Sequence, residues 1–149
     1  MKKTYLVAKF LIIYLFFTSS VLADKSKYFN EGKMLFHEKK FEKSKNFFQK
    51  DIVFNPKSEK SYLYLAKIFD KDNNDEEQEV NLNNVLLLNP QNDEAVYMLI
   101  LLKIKQSDYN EAKNLIKKFN IVCTSFCSKR TEIQEKFDKL EPENAKDNN

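Results

Sequence analysis

Cys123 and Cys127 are the residues of this 149-residue chain most suited to covalent chemistry, and they are its only cysteines. Three residues separate them, one more than in a reactive Cys-x-x-Cys motif. Two thiolates and one distant histidine do not supply the four ligands of a tetrahedral zinc site. Three alternatives remain: a local disulfide, which we favour, two free thiols, or a functional redox pair. A disulfide would be strained within one regular helix, so we expect the chain to bend there.

Other residues give little support for catalysis. The single histidine, His37, follows an aromatic residue and precedes a charged run, which is typical of a solvated or groove-lining side chain. The acidic run 75–77 suits a helix N-terminus, where negative charge is favourable. With one glycine in the chain, no phosphate-cradling loop is present. The sequence therefore predicts a protein that is not an enzyme and has no cofactor, metal site or small-molecule substrate.

The first 23 residues have the pattern of a secretory signal peptide. Lys2 and Lys3 precede an unbroken apolar run over 10–17, and small residues lead to Ala23. The uncharged stretch 10–23 is shorter than the ~20 residues that span a bilayer, which argues against an uncleaved anchor. We expect cleavage after Ala23 and an exported protein, periplasmic or secreted, that meets the membrane only before cleavage.

The charge of the chain changes when this segment is removed. It contains three of the 25 basic residues and none of the 22 acidic ones, so residues 24–149 carry no net charge. A neutral chain gives no reason to expect nucleic acid or an acidic membrane surface as partner. Export also places the two cysteines in an oxidising compartment, where disulfides persist.

A regular spacing of residue types is the strongest signal for the fold. Pro56 and Pro90 each follow an asparagine that ends an apolar run. The interval between them matches the period of about 34 residues that is typical of repeat proteins built from helix pairs. Polar residues at 72–75 and at Asp93 are predicted to begin the next helices. Other positions that keep the same spacing are Gly32, Ala66 and Ile100; Phe48, Leu82 and Ile116; Leu65 and Leu99; and Tyr62 and Val96.

On these residues the chain resembles the tetratricopeptide repeat (TPR) family. The resemblance predicts an all-α fold, a TPR-like α-solenoid of three helix pairs plus a C-terminal capping helix. Gln78 departs from the family pattern, which has a small residue at this position of the second unit, so we expect its two helices to pack less closely. The predicted parts are a TPR-like domain over 24–140, with repeats at about 25–58, 59–92 and 93–126 and a capping helix over 128–140, and a disordered tail over 141–149.

TPR proteins bind extended or helical peptides in a concave groove made by the first helix of each unit. The resemblance therefore implies a protein or peptide partner. It implies a groove lined by Phe29, Lys33, Phe36, His37, Leu63, Lys67, Asp70, Tyr97, Leu101 and Ile104. The carboxylate clamp of some family members is not supported, because other residues hold most of its places: Phe29, Tyr64, Glu94 and Met98.

Tyr97, Leu101 and Ile104 share one helix face, which either forms an open partner site or is covered by the last helix. The sequence as a whole favours a non-enzymatic interaction module or adaptor of the bacterial cell envelope. Two alternatives remain open: a thiol-dependent redox factor that uses Cys123 and Cys127, and a solenoid subunit of a larger envelope complex.

Overall fold

A computed structural model describes residues 27–140, which are helical apart from short links and contain no strand. The predicted signal peptide over 1–23 and the predicted tail over 141–149 lie outside this range. None of the helices in the described part is both long and apolar enough to cross a membrane. The helices are α1 (27–37), α2 (Phe41–Phe54), α3 (Glu59–Lys71), α4 (Asp75–Leu88), α5 (Asp93–Lys105), α6 (Tyr109–Val122) and α7 (Arg130–Leu140), with a 3-10 turn at Cys127–Lys129.

The link inside each helix pair has the same backbone conformation, at the interval that separates the two prolines. Lys39, Asn73 and Ser107 have φ values of 60°, 53° and 60°. This left-handed conformation is uncommon for residues other than glycine. In each link, the backbone N–H of the residue after the left-handed one donates to the carbonyl five residues before it. The distance is 2.9 Å in all three cases: Lys40 to Leu35, Asn74 to Phe69, and Asp108 to Lys103. The period seen in the apolar residues therefore recurs in the backbone.

A boundary between Ser61 and Tyr62 divides the chain into two compact units. In the first unit, small residues allow α1 and α2 to approach closely. A Cβ added to Gly32 would lie 2.8 Å from the ring of Phe48, which is completely buried. The buried Ser44 hydroxyl donates to the Gly32 carbonyl at 2.7 Å. Phe48 is therefore a core residue of this pair, as its repeat position predicts.

A buried polar chain joins the end of α2 to the start of α3 within the same unit. The Ser61 hydroxyl donates to Oδ2 of Asp51 at 2.5 Å, and the Ser58 hydroxyl donates to that of Ser61 at 3.1 Å. Asp51 and Ser61 are both fully buried. These bonds connect the first helix pair to the residues that begin the next one.

The second unit has an apolar core in which α5 packs against α4, α6 and α7. The capping helix α7 contributes Ile133 and Phe137, which are buried, whereas Leu140 is exposed. Ile133 and Phe137 therefore attach the predicted capping helix to the core. The order of helix pairs α1–α2, α3–α4 and α5–α6, followed by α7, is the predicted all-α architecture.

Side-chain caps begin the helices of this unit. Asn74, Asn92 and Asp108 cap α4, α5 and α6, and each accepts a hydrogen bond from the N–H three residues later. The polar cluster at 72–75 thus ends α3 and starts α4, as predicted. Helix α5 begins at Asp93, also as predicted, but its cap is Asn92. The Asp93 carboxylate is therefore free of the capping role.

Candidate functional site

Part of the predicted groove forms a concave pocket within the unit that begins at Tyr62. The pocket has a volume of about 410 Å³ and lies between α3, α4 and α5. Four predicted groove residues line it: Lys67, Asp70, Tyr97 and Leu101. Five further residues that were not predicted to line the groove complete its wall: Gln78, Glu94, Met98, Leu102 and Lys105.

Two other predicted groove residues of this unit lie in its core. Leu63 and Ile104 are 9% and 6% exposed, so they have little surface to offer a partner. Ile104 shares a face of α5 with Leu101, but the helix turns enough between the two residues to bury one and leave the other at the pocket.

The remaining four predicted groove residues belong to α1, in the first unit. The ring of Phe29 lies 5.9 Å from that of Phe48. The ring of Phe36 lies 6.1 Å from that of His37, at an edge-on angle. Lys33 and His37 are exposed. The role of these four residues in partner binding stays a prediction.

Gln78 is the most unusual residue of the pocket wall. It is only 3% exposed, yet it lines the pocket. Within residues 27–140, no hydrogen bond reaches its side-chain carboxamide. The neighbouring buried amide, Asn81, instead donates to the Glu77 carbonyl at 2.8 Å. The carboxamide is not fully enclosed, so it presents a donor and an acceptor to the pocket with which a bound molecule could pair.

The lysines of the pocket are paired with carboxylates. Lys67 lies 2.7 Å from Glu94, and Lys105 lies 2.6 Å from Asp75. Asp70 is exposed, and no ion pair or side-chain hydrogen bond reaches its carboxylate from the described part of the chain. The two lysines and the two acids that line the pocket balance in charge, and Asp70 is the one charged side chain of the wall without a partner among the described residues.

The capping helix covers one end of the predicted apolar face of α5. The Tyr97 hydroxyl donates to Glu132 of α7 at 3.1 Å. Burial, followed by this hydrogen bond, raises the pKa of Tyr97 above its ordinary value. Hydrogen bonds from Lys129 and Lys136 lower the pKa of Glu132 to about 2. Tyr97 and Leu101 both line the pocket, so the contact with α7 at one end of this face leaves the pocket accessible.

The chain bends between α6 and α7, where the two cysteines lie. Helix α6 ends at Val122, and the sulfur atoms of Cys123 and Cys127 lie at disulfide distance, with 5.2 Å between their Cα atoms. The predicted bend is therefore confirmed. Among residues 27–140, no group of three or more His, Cys, Asp or Glu side chains could hold a metal ion.

The loop between the cysteines is bound to the start of α5. Oδ2 of Asp93 accepts from the backbone N–H groups of Thr124, Ser125 and Phe126 at 2.7, 2.6 and 2.9 Å. Burial raises the pKa of Asp93, but these hydrogen bonds outweigh burial and leave it below its ordinary value. The ring of Phe126 lies 5.7 Å from that of Tyr97. These contacts favour a structural role for the loop, as a support for one end of the pocket.

No family model matches the sequence, and neither does any curated protein sequence. Solved structures do match. The first TPR of Spaghetti (RPAP3) bound to the HSP90 peptide SRMEEVD has a TM-score of 0.69 and 14% identity, covering 78% of this chain and 92% of that one. The Sgt2 TPR domain from Aspergillus fumigatus has a TM-score of 0.66 and 16% identity, covering 80% and 85%. A chain of the CopN–Scc3 complex has a TM-score of 0.64 and 16% identity, covering 79% and 69%. The chain therefore has the TPR fold.

Proposed function

We propose that this protein is a non-enzymatic interaction module that binds an extended segment of a protein partner in the pocket between α3, α4 and α5. The observation that carries the proposal is the convergence of Lys67, Asp70, Tyr97 and Leu101 on one concave surface. Its wall combines apolar side chains such as Met98 and Leu101 with charged and amide groups, and the polar groups of a concave site can fix the orientation of a ligand. The TPR fold supports a protein ligand, because the first TPR of Spaghetti (RPAP3), a structure of the same fold, is bound to a peptide.

The polar groups of this pocket are not suited to every peptide. The peptide in that complex, SRMEEVD, ends in a run rich in acidic residues. In the present chain Glu94 occupies a place of the family's carboxylate clamp and is paired with Lys67, while Asp70 is unpaired within the described residues. An acidic C-terminal tail is therefore not the ligand that we propose.

Replacing Leu101 with glutamate tests the pocket as the binding site. The partner would first be identified by affinity capture from the envelope fraction with the wild-type protein. Leu101→Glu should weaken its binding, because a charge replaces an apolar contact in the wall, while helicity and melting temperature hold. Leu87→Glu is the matched control, since Leu87 is 80% exposed on α4 and does not line the pocket. A folded Leu101→Glu protein that binds the partner as tightly as wild type would contradict the proposal.

We also propose that the protein acts as an adaptor in the bacterial cell envelope after export. The signal-like segment over 1–23 supports export. The cysteine pair at disulfide distance agrees with an oxidising compartment. Intact mass and N-terminal sequencing of the exported protein should give a chain that begins at Asp24. A protein of the membrane fraction that still begins at Met1 would contradict this location.

A further inference from the structure

Gln78 presents hydrogen-bonding groups that match those of a peptide backbone. A glutamine carboxamide has a carbonyl acceptor and an NH₂ donor, and an extended peptide offers a complementary N–H and C=O. Gln78 lies in the wall of the pocket, is only 3% exposed, and has no side-chain partner anywhere in residues 27–140. A bound backbone amide could pair with both of these groups where the carboxamide reaches the pocket.

The charged groups that line the same pocket bear on the side chain next to that peptide bond. Each lysine of the pocket wall already has a carboxylate partner, Glu94 for Lys67 and Asp75 for Lys105. Asp70 is exposed, and its carboxylate has no partner in the described structure. A cationic side chain would gain an ion pair here, whereas an acidic one would be repelled.

The apolar part of the wall fits the stem of the same side chain. Met98 and Leu101 are partly exposed at the pocket. Lysine and arginine bury their methylene stems against apolar surface and keep their charged ends in contact with polar groups. An apolar wall next to a carboxylate is therefore complementary to a lysine or arginine.

We infer that the pocket recognises a basic residue within an extended segment of the partner. Gln78 hydrogen-bonds the backbone amide next to that residue, and Asp70 pairs with its cationic side chain. This inference rests on the proposed function and names the chemistry of the partner segment at the same site.

Pools of immobilised, end-blocked heptapeptides test the inference with the mature protein. Each pool has one fixed central residue, Lys, Arg, Leu or Glu, and degenerate flanks. The Lys and Arg pools should bind about two- to fivefold more tightly than the Glu pool, as expected of a partly exposed ion pair. Asp70→Asn should abolish this preference. Glu76→Gln, an exposed α4 residue outside the pocket wall, should preserve it.

A second variant tests the backbone contact. Gln78→Met keeps the size of the side chain but removes its hydrogen-bonding groups, so binding of the Lys and Arg pools should weaken by about fivefold. Its melting temperature should match that of the wild type, because the carboxamide makes no hydrogen bond within the described residues. The loss of binding is then not due to unfolding. Unchanged binding by a folded Gln78→Met protein would overturn the role of Gln78.

The outcomes separate the inference from the proposed function. If the Glu pool binds as well as the Lys pool and Leu101→Glu abolishes both, the pocket binds peptides without a basic preference, and the inference fails alone. If no pool binds and Leu101→Glu leaves the captured partner bound, the proposed function fails together with the inference.

Discussion

Ser44 in the first helix pair and Gln78 in the second stand at the same repeat position. Both are buried, with 0% and 3% of their surface exposed. The Ser44 hydroxyl donates to the Gly32 carbonyl and binds α2 to α1. No hydrogen bond of residues 27–140 reaches the Gln78 carboxamide, which faces a pocket. The same repeat position therefore holds two helices together through Ser44 in the first pair, whereas in the second pair Gln78 makes no side-chain hydrogen bond within the described residues. The hydrogen-bond partner, rather than burial, distinguishes the two residues.

The difference follows from the size of the side chain at this position. In the first pair, serine is short enough to reach only the facing backbone, and the contact is tight enough that Gly32 has no room for a Cβ beside Phe48. Glutamine is longer and extends to the pocket wall. The third pair has Ala112 there, which is buried and has no polar group to satisfy.

We expect the largest loss of stability from a substitution that removes the tight contact between α1 and α2. Phe48→Ala should lower the free energy of unfolding by about 3–5 kcal/mol, because it removes a fully buried ring. Phe54→Ala, on the same helix, is the control: its side chain is 52% exposed, and it should cost about 1 kcal/mol or less. Urea unfolding measures both. Equal losses would show that the first pair does not depend on the buried ring.

A smaller effect is expected at Asp93, a buried residue of the second unit whose Oδ2, unlike the carboxamide of Gln78, accepts several hydrogen bonds. Asp93→Asn should destabilise the protein by about 1.5–3 kcal/mol at neutral pH, since it weakens charge-assisted hydrogen bonds to the loop. Asp108→Asn is the control, because aspartate and asparagine cap helices equally well.

The effect of Asp93→Asn should also depend on pH. Because the pKa of Asp93 is lowered on folding, its contribution is complete above its ordinary pKa of about 4 and is lost as the pH falls through the folded value. Melting curves of the wild type and the variant should therefore converge in acid. A difference that stays constant from pH 7 to pH 2 would show that the carboxylate charge is not what binds the loop.

We expect the smallest changes in stability from substitutions at the two equivalent positions, Ser44 and Gln78. Ser44→Ala should cost about 1 kcal/mol, because a buried hydrogen bond to the Gly32 carbonyl is lost. Gln78→Met should be close to neutral, because the Gln78 carboxamide makes no hydrogen bond within the described residues. The urea midpoint should therefore fall for Ser44→Ala and stay close to that of the wild type for Gln78→Met. Equal destabilisation would mean that Gln78 contributes to the fold as Ser44 does.

Much of the fold could be predicted from particular residues. The spacing of Pro56 and Pro90, the repeat position of Phe48 and the polar cluster at 72–75 indicated helix pairs, a core ring and a helix start. The left-handed links at Lys39 and Ser107 were not predicted, because neither residue is a glycine. The three links lie one repeat period apart, but lysine and serine are not residue types that indicate a left-handed backbone.

The site was less predictable. The register placed Lys67, Asp70, Tyr97 and Leu101 on the first helices of two repeats, and these residues do line one pocket. Gln78 was noticed only as a departure from a small residue. The signal that could have identified it is a long polar side chain at a position where repeat packing requires burial.

By itself, the sequence determined the all-α class, the repeat period and the approximate starts of α4 and α5, since these depend on local propensity and on the spacing of apolar residues along one chain. Only the tertiary structure decided that Ile104 is buried while Leu101 borders a pocket, and that Glu94 neutralises Lys67. A repeat register gives the side of a helix on which a residue lies. Whether its side chain finds a partner depends on atoms of other helices within about 3 Å, and that distance is set by packing.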